Sequence, residues 1–332
     1  MPIEFSKTSH IVQTLPTGDP HTIHAYHFAG EPGPSIYIQA NLHGPEIIGT
    51  PLIGKLIEYL HTLDTIKGSI TLVPCANPLA VNDSNLALDG RWNKKSGQNW
   101  NRIHDFGQQW HSREDKKNYL TNFLKTQGIS IEKKLSATLH LIAGQPDYII
   151  DLHAAGLYSC DYRFVMPQCI NDFDLLGNEL ALINDSSDFI FGDFKGSFVR
   201  PFRDTPELIS KACTWELAGD QQVDRSILEA RWVAMKRWID YVLLDVPTKN
   251  PNTTIVRSVT EFDVINSQHH GYYIWEVQVG DIVPAGKPYI TYYEPVTNEF
   301  KSFSESRDFM LVSKYTIGAL GEGEQIGERV WL

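Results

Sequence analysis

The stretch Ser35–Leu56, SIYIQANLHGPEIIGTPLIGKL, constrains the fold more than any other part of the chain. It opens on SIYIQAN, a short apolar run with β-branched residues, which reads as a buried strand. It continues into IIGTPLIGKLIEYL, where Ile48, Leu52, Ile53, Leu56, Ile57 and Leu60 recur near helical spacing. Between the two lies Asn41-Leu42-His43-Gly44-Pro45-Glu46. Gly44 permits a sharp turn, and Pro45 suits the first position of a helix. His43 and Glu46 are therefore expected where a strand ends and a helix begins, the place where α/β proteins bind ligands. An imidazole and a carboxylate three residues apart on such a turn can reach one divalent ion, and they suit zinc at about 2 Å. His-x-x-Glu is also common by chance, and a polar turn with a glutamate at a helix start has the same spelling.

A third ligand candidate lies far downstream. Asp147–His153, DYIIDLH, is another strand-like run that ends in a histidine. Catalytic zinc commonly takes two ligands from one short motif and a third from elsewhere, leaving a position open for water. His153 is followed by Ala-Ala-Gly, small residues that let another part of the structure come close.

The 332 residues suffice for one large domain and a smaller one, and 42% apolar with 21% charged residues is ordinary for a globular protein. The net charge of −11 and the absence of a basic tract argue against nucleic acid and anionic membrane surfaces as partners. The N-terminus shows no secretory pattern, and no run approaches the roughly 20 apolar residues of a membrane helix. Cys75, Cys160, Cys169 and Cys213 are scattered without a C-x-x-C pair and read as reduced core residues of a cytoplasmic protein.

Strands and helices alternate to about residue 245. Ser69–Ala76 reads as a strand, and Glu114–Leu124 and Glu132–Leu141 read as helices. Arg163–Met166 reads as a strand, Asp172–Ile183 as an amphipathic helix, and Asp188–Phe191 as a further strand. Ala212–Leu217 is expected as a strand and Val223–Leu244 as a long helix. Asn77–Gln109 is a long polar stretch, and loops of that length inside a compact domain are usually functional. His21, His24 and His27 alternate faces if they lie on a strand, so they are not expected to share an ion. Val246–Thr254 reads as a linker, and the β-type runs beyond it alternate with turns. The expected organisation is an α/β domain over residues 1–248 and a small all-β domain over residues 255–332.

A metal-activated water needs a base that takes its proton and passes it to the leaving group. Glu216 is the candidate, because it lies in an apolar strand between Trp215 and Leu217, where a charge is costly without a purpose. A surface glutamate on a half-exposed strand is the plainer reading. Arginine suits a substrate carboxylate, which its planar fork can grip bidentately, and the long loop supplies Arg91 and Arg102. An arginine beside the metal could also stabilise an oxyanion.

His43-Gly44-Pro45-Glu46, Asn77-Pro78-Leu79-Ala80-Val81, Asn101-Arg102, Asp151-Leu152-His153 and Glu216-Leu217 occur in an order that resembles the succinylglutamate desuccinylase and aspartoacylase family, relatives of the zinc carboxypeptidases. The resemblance covers roughly residues 35–245. It implies one zinc per chain held by His43, Glu46 and His153, with Glu216 as general base and acid. It also implies that Asn101 and Arg102 handle a substrate carboxylate or the polarised carbonyl. The implied fold is a mixed, mostly parallel sheet with helices on both faces and a C-terminal β domain. Two positions depart from the family pattern: Leu79 stands where aspartoacylase-like members tend to have arginine, and Asn99-Trp100 precede the Asn-Arg pair in place of Asp-Leu. Both touch the substrate side and spare the metal. Arg91 could replace the missing cation, with Arg200 and Arg203 as weaker candidates. The C-terminal pattern V-x-x-G-D-x-V-x-x-G-x-P is similar to lipoyl and biotinyl carrier domains, without a clear carrier lysine. Tyr272, Tyr273, Tyr292 and Tyr293 could send a phenol into the cleft, or simply pack their strands.

These expectations converge on a zinc hydrolase cleaving the amide, or an ester, of a small N-acyl amino acid or related carboxylate. Two alternatives stay open: a metallocarboxypeptidase acting on peptide C-termini, and a non-catalytic protein that keeps the cleft for ligand capture. The acyl group, the amine, the native metal and a homo-oligomeric state are left undetermined.

Overall fold

The computed structural model describes residues 2–84, 90–156, 158–184, 192–219, 223–249, 254–315 and 319–332. The chain opens with β1 (Glu4–Thr14), β2 (Pro20–Ala29) and β3 (Glu31–Ala40). Helix α1 (Gly49–His61) leads to β4 (Lys67–Val73), α2 (Pro78–Asp83), α3 (Arg113–Phe123) and α4 (Ile131–Ala143). Then come β5 (Tyr148–His153), the short β6 (Tyr158–Ser159), β7 (Tyr162–Val165), β8 (Leu180–Ile183) and β9 (Lys211–Glu216). The long α5 (Arg225–Leu244) precedes β10 (Ile255–Ser258), β11 (Phe262–Asn266), β12 (Gly271–Trp275) and β13 (Ile282–Val283). The chain finishes with β14 (Ile290–Glu294), β15 (Glu299–Phe303), β16 (Phe309–Lys314), β17 (Ala319–Leu320) and β18 (Gln325–Trp331).

Among the described residues nine strands form one mixed sheet in the order β1-β2-β4-β3-β5-β9-β7-β8-β10. Its centre is parallel: β4, β3, β5 and β9 run together, and their runs of Ile, Leu and Val are those of strands buried on both faces. Alternation along β3 and β5 separates the two faces. Ala40 and Leu152 face α1, where Gly49 packs so tightly that a Cβ on it would lie 2.7 Å from that of Ala40. Tyr37 and Asp151 face the other way, where Phe194 packs at a tilt against Tyr37 and against His140 of α4. Helices therefore cover both faces, as expected.

The C-terminal strands build two antiparallel sheets, β11-β18-β16-β13 and β15-β14-β12-β17. Tyr273 and Tyr292 are buried in the core between them, while Tyr272 is exposed. The two parts of the chain exchange strands: β10 adds to the edge of the large sheet beside β8, and β6 adds to the antiparallel sheet beside β16, with Ser159 opposite Ser313. Among the described residues no helix is long and apolar enough to cross a membrane.

Two local expectations are corrected. Asp172–Ile183 is not a helix. A 3-10 turn over Asn171–Leu176 ends at Gly177, whose φ of 67° is left-handed. The apolar run behind it becomes β8, which is paired in parallel on both edges, so ladder bonds and burial override the helical spacing. Pro45 does not start α1 either. It lies in the turn, and the helix begins at Gly49. The expected strand at Asp188–Phe191 lies outside the described residues.

Asn41 shapes that turn. It sits at φ 56°, a conformation asparagine tolerates, and its side-chain amide donates to the carbonyls of His43 and Gly44 at 3.3 and 3.2 Å. Gly44 presses against α2, and a Cβ there would lie 2.2 Å from the Ala80 carbonyl oxygen. Gly54, inside α1, has no neighbour within 4 Å of such an atom. Gly44→Ala is therefore expected to lose about 1–3 kcal/mol to overpacking, and Gly54→Ala to gain roughly 0.5–1 kcal/mol from helix propensity. Urea unfolding of the two variants against the parent checks both signs.

Candidate metal centre

The parallel register lines up the carboxyl ends of the central strands. Gln39 is level with Asp151, and His153 is level with Glu216 on the next strand. His43 and Glu46 follow three and six positions beyond the end of β3 at Ala40. The strands thereby bring His43, Glu46 and His153 together, all three buried, with one donor atom from each within 4.8 Å of the others. Among the described residues this is the only such cluster that could hold a metal ion. His21, His24 and His27 take separate partners, Asn82, Ser9, and Thr8 with Thr71.

The Glu46 carboxylate bridges the two imidazoles. Its Oε1 lies 2.7 Å from His43 Nδ1, and its Oε2 lies 2.6 Å from His153 Nδ1. Each ring turns its other nitrogen to an acceptor. His43 Nε2 lies 3.0 Å from Asn99 Oδ1, and His153 Nε2 lies 2.9 Å from Asp151 Oδ2. An Nε2–H held this way leaves Nδ1 as the coordinating atom of a neutral ring, the arrangement in which outer partners fix metal-ligating histidines. The donor set of two Nδ1 atoms and one carboxylate suits a divalent ion with an open position. Behind it runs a buried polar chain, in which Gln39 donates to Asp151 Oδ1 at 2.9 Å and Tyr37 donates to Gln39 at 2.9 Å.

Electrostatics follow from this packing. Burial pushes the Glu46 carboxyl upward, but His43 and His153 outweigh it and hold the group well below the usual carboxylate range. Burial also opposes charge on His153, yet Asp151 and Glu46 raise it well above the ordinary histidine value. His43 is lowered by burial, with Arg91 and His153 adding to the effect against the pull of Glu46.

A cavity of about 430 Å³ opens over the cluster. Glu216 lines it, half-buried, and its Oε2 is buried with no hydrogen-bond partner among the described residues. Burial raises its carboxyl to about 8, opposed by His153 and reinforced by Glu46. The strand beneath is anchored: Trp215 Nε1 donates to Asp161 at 2.5 Å, and Arg231 pairs with the same carboxylate at 3.0 Å.

Asn101, Arg102 and Arg91 also line the cavity. Asn101 accepts from the Phe194 amide at 2.8 Å, and its amide nitrogen lies 3.3 Å from His153 Nε2. Arg102 donates to the Asn101 carbonyl at 2.6 Å. Arg91 donates to Glu46 Oε1 at 2.9 Å, so it braces the cluster itself. Arg200 lines a separate pocket, and Arg203 is exposed.

Several cavity residues escaped sequence reasoning. Asp193 and Lys195, both buried, come from an irregular segment after β8. Tyr315, Gln325 and Glu328 come from the C-terminal strands. None of the four tyrosines considered at the outset reaches the cavity. Charged residues between aromatics in Phe191-Gly192-Asp193-Phe194-Lys195 were the available signal for the first pair. Gly156 explains the small residues after His153: it sits at φ 60°, with Ser313 and Tyr315 of the C-terminal sheet against it.

The family model for the succinylglutamate desuccinylase/aspartoacylase catalytic domain matches residues 32–242. A candidate succinylglutamate desuccinylase/aspartoacylase from Shewanella frigidimarina NCIMB 400 has a similar structure at 22% identity and TM-score 0.87, covering 99% of this chain and 98% of that one. A protein assigned to the same family from Shewanella amazonensis SB2B is 20% identical with TM-score 0.87, covering 98% of this chain and all of that one. The product-bound ectoine utilization protein of Ruegeria pomeroyi is 13% identical with TM-score 0.72, covering 100% of this chain and 95% of that one. At these identities the likeness shows the fold. No curated protein matches the sequence.

The polar chain behind His153 makes a measurable prediction. Asp151→Asn keeps the shape but weakens the acceptor that orients the ring, and is expected to lower divalent-metal affinity about 10–100-fold. Competition against a chelating dye checks it.

Proposed function

The chain belongs to the succinylglutamate desuccinylase/aspartoacylase catalytic family, and from that premise we propose that it hydrolyses the amide bond of a small N-acyl amino acid or related carboxylate, with zinc held by His43, Glu46 and His153. The family consists of hydrolase-like deacylases that act on small acylated amino acids. One observation carries the reading: a buried two-histidine, one-carboxylate cluster shares a cavity with Glu216, whose Oε2 has no partner among the described residues.

Zinc bound there would supply Lewis acidity toward the acyl carbonyl and acidify the attacking water. Glu216, in its ionised form, takes the proton of that water at a carboxylate oxygen. The same oxygen then returns the proton to the leaving amine, so one group serves as base and acid. Charge developing on the acyl oxygen faces the Arg102 guanidinium, a donor already fixed by the Asn101 carbonyl. Asn101, Arg102 and Arg91 bind the substrate carboxylate, and Arg91 keeps Glu46 in place while doing so. Residues 1–248 carry this chemistry in our reading, and the C-terminal strands narrow the cavity mouth. We place the reaction in the cytoplasm, where the four free thiols stay reduced.

The test joins elemental analysis to turnover. The wild type is expected to carry about one zinc per chain and to release acyl groups from N-acetyl, N-formyl or N-succinyl amino acids. His153→Ala is expected to lose the metal. Glu216→Gln is expected to keep the metal and lose about 10²–10⁴-fold in kcat. Turnover confined to peptides would favour a metallocarboxypeptidase. Metal-free protein that binds acyl amino acids without turnover would favour a binding protein.

A further inference from the structure

Glu328 is the one carboxylate that the C-terminal strands contribute to the described lining of the cavity. By alternation along β18 it shares a face with Val330, which is buried in an apolar cluster with Tyr162, Leu180 and Val312, where an apolar residue is the default. The register between β16 and β18 breaks between Leu311 and Ser313, which sets Ser313 opposite Glu328. Irregularities of this kind re-aim side chains beside active sites. Ser313 Oγ donates to Glu328 Oε2 at 2.7 Å, and Gln325 Nε2 stands at the outer limit of a hydrogen bond, 3.5 Å from Oε1. Both partners are neutral.

Among the described residues no lysine or arginine lies within ion-pair distance of Glu328. Arg91 exerts a longer-range pull, but its guanidinium donates to Glu46. Glu216 is close enough for the two carboxylates to repel each other. Burial raises the Glu328 carboxyl, and Ser313 and Arg91 only partly offset this. A half-buried anion without a counter-charge is expensive. Ser313 nevertheless holds this one in a fixed position at the wall of a cavity sized for a small molecule.

We propose that Glu328 is a specificity-determining residue that receives a positively charged group of the substrate, so that the substrate class is an N-acyl amino acid with a second amino or guanidino group. This rests on the deacylase reading above. Arg102 and Arg91 take the carboxylate, and Glu328, lining the same cavity from β18, takes the cation. The serine donor keeps the carboxylate oriented, and Tyr315 and Gln325 line the approach.

The test compares isosteric pairs: Nα-acetyl-L-lysine against Nα-acetyl-L-2-aminoheptanoate, and Nα-acetyl-L-ornithine against Nα-acetyl-L-norleucine. The wild type is expected to favour the charged member of a pair by about tenfold or more in kcat/KM, the scale of a hydrogen bond to a charged group. In Glu328→Gln, which can still accept from Ser313, that ratio falls toward one. In Glu328→Lys the order inverts in favour of Nα-acetyl-L-glutamate. Ser313→Ala leaves the charge but frees the carboxylate, and lowers the ratio without abolishing it. Should Glu328→Lys fail to fold, the Gln and Ala variants still decide the matter. Equal turnover of both members by wild type, or a preference that survives Glu328→Gln, overturns the proposal and leaves the deacylase reading standing. Calorimetry with free L-ornithine and L-norleucine supplies an arm that needs no turnover. Charge-selective binding lost in Glu328→Gln supports the cation site even if no acyl compound is hydrolysed, and that result would count against the deacylase reading alone. Neither turnover nor charge-selective binding overturns both.

Discussion

The Glu46 carboxylate between two imidazoles is the contact on which the site depends. A buried carboxylate is costly unless its oxygens are matched, and here each oxygen meets a ring nitrogen. That match requires three backbone facts at once. The turn after β3 must carry His43 and Glu46 inward, β5 must end at His153, and β3 and β5 must run parallel in the observed register. Asn41 and Gly44 secure the first, the buried apolar runs of the central strands secure the other two, and the next strand in register delivers Glu216.

The surrounding protein supports this contact from two directions. From behind, Tyr37, Gln39 and Asp151 form a buried polar chain that ends on His153. From the front, Asn99 and Arg91 hold His43 and Glu46. The C-terminal sheets close the remaining side through the pairing of β6 with β16, which explains why a segment with no ligand candidates of its own still shapes the cavity. The arginines of the long polar loop and Glu328 of β18 then line one cavity.

How much of this was legible in the sequence follows from how local each signal is. The strand–turn–helix around His43 and the run ending at His153 could be read because a buried parallel strand writes a short apolar run, and a histidine at its end breaks that run abruptly. Glu216 was legible for the same reason, as a charge inside an apolar strand. The position of Glu328 carries the same kind of signal, a charge on the apolar side of β18, but its meaning depends on how the C-terminal sheets dock, which no local pattern states. Asp193 and Lys195 lie in irregular backbone, where periodicity gives nothing to read. The misreading of Asp172–Ile183 shows the limit from the other side. Helical spacing was present, but Gly177 stops the turn and two neighbouring strands claim the apolar residues behind it. Pro45 failed similarly, since the geometry around Asn41 delays the helix to Gly49.

The measurement that bears most directly on the central claim is a crystal structure of the zinc-loaded protein, with anomalous scattering collected at the zinc edge. The account predicts one strong peak coordinated by His43 Nδ1, His153 Nδ1 and Glu46, with a remaining position open to the cavity beside Glu216. A peak elsewhere, or full loading with this cluster left empty, would contradict it.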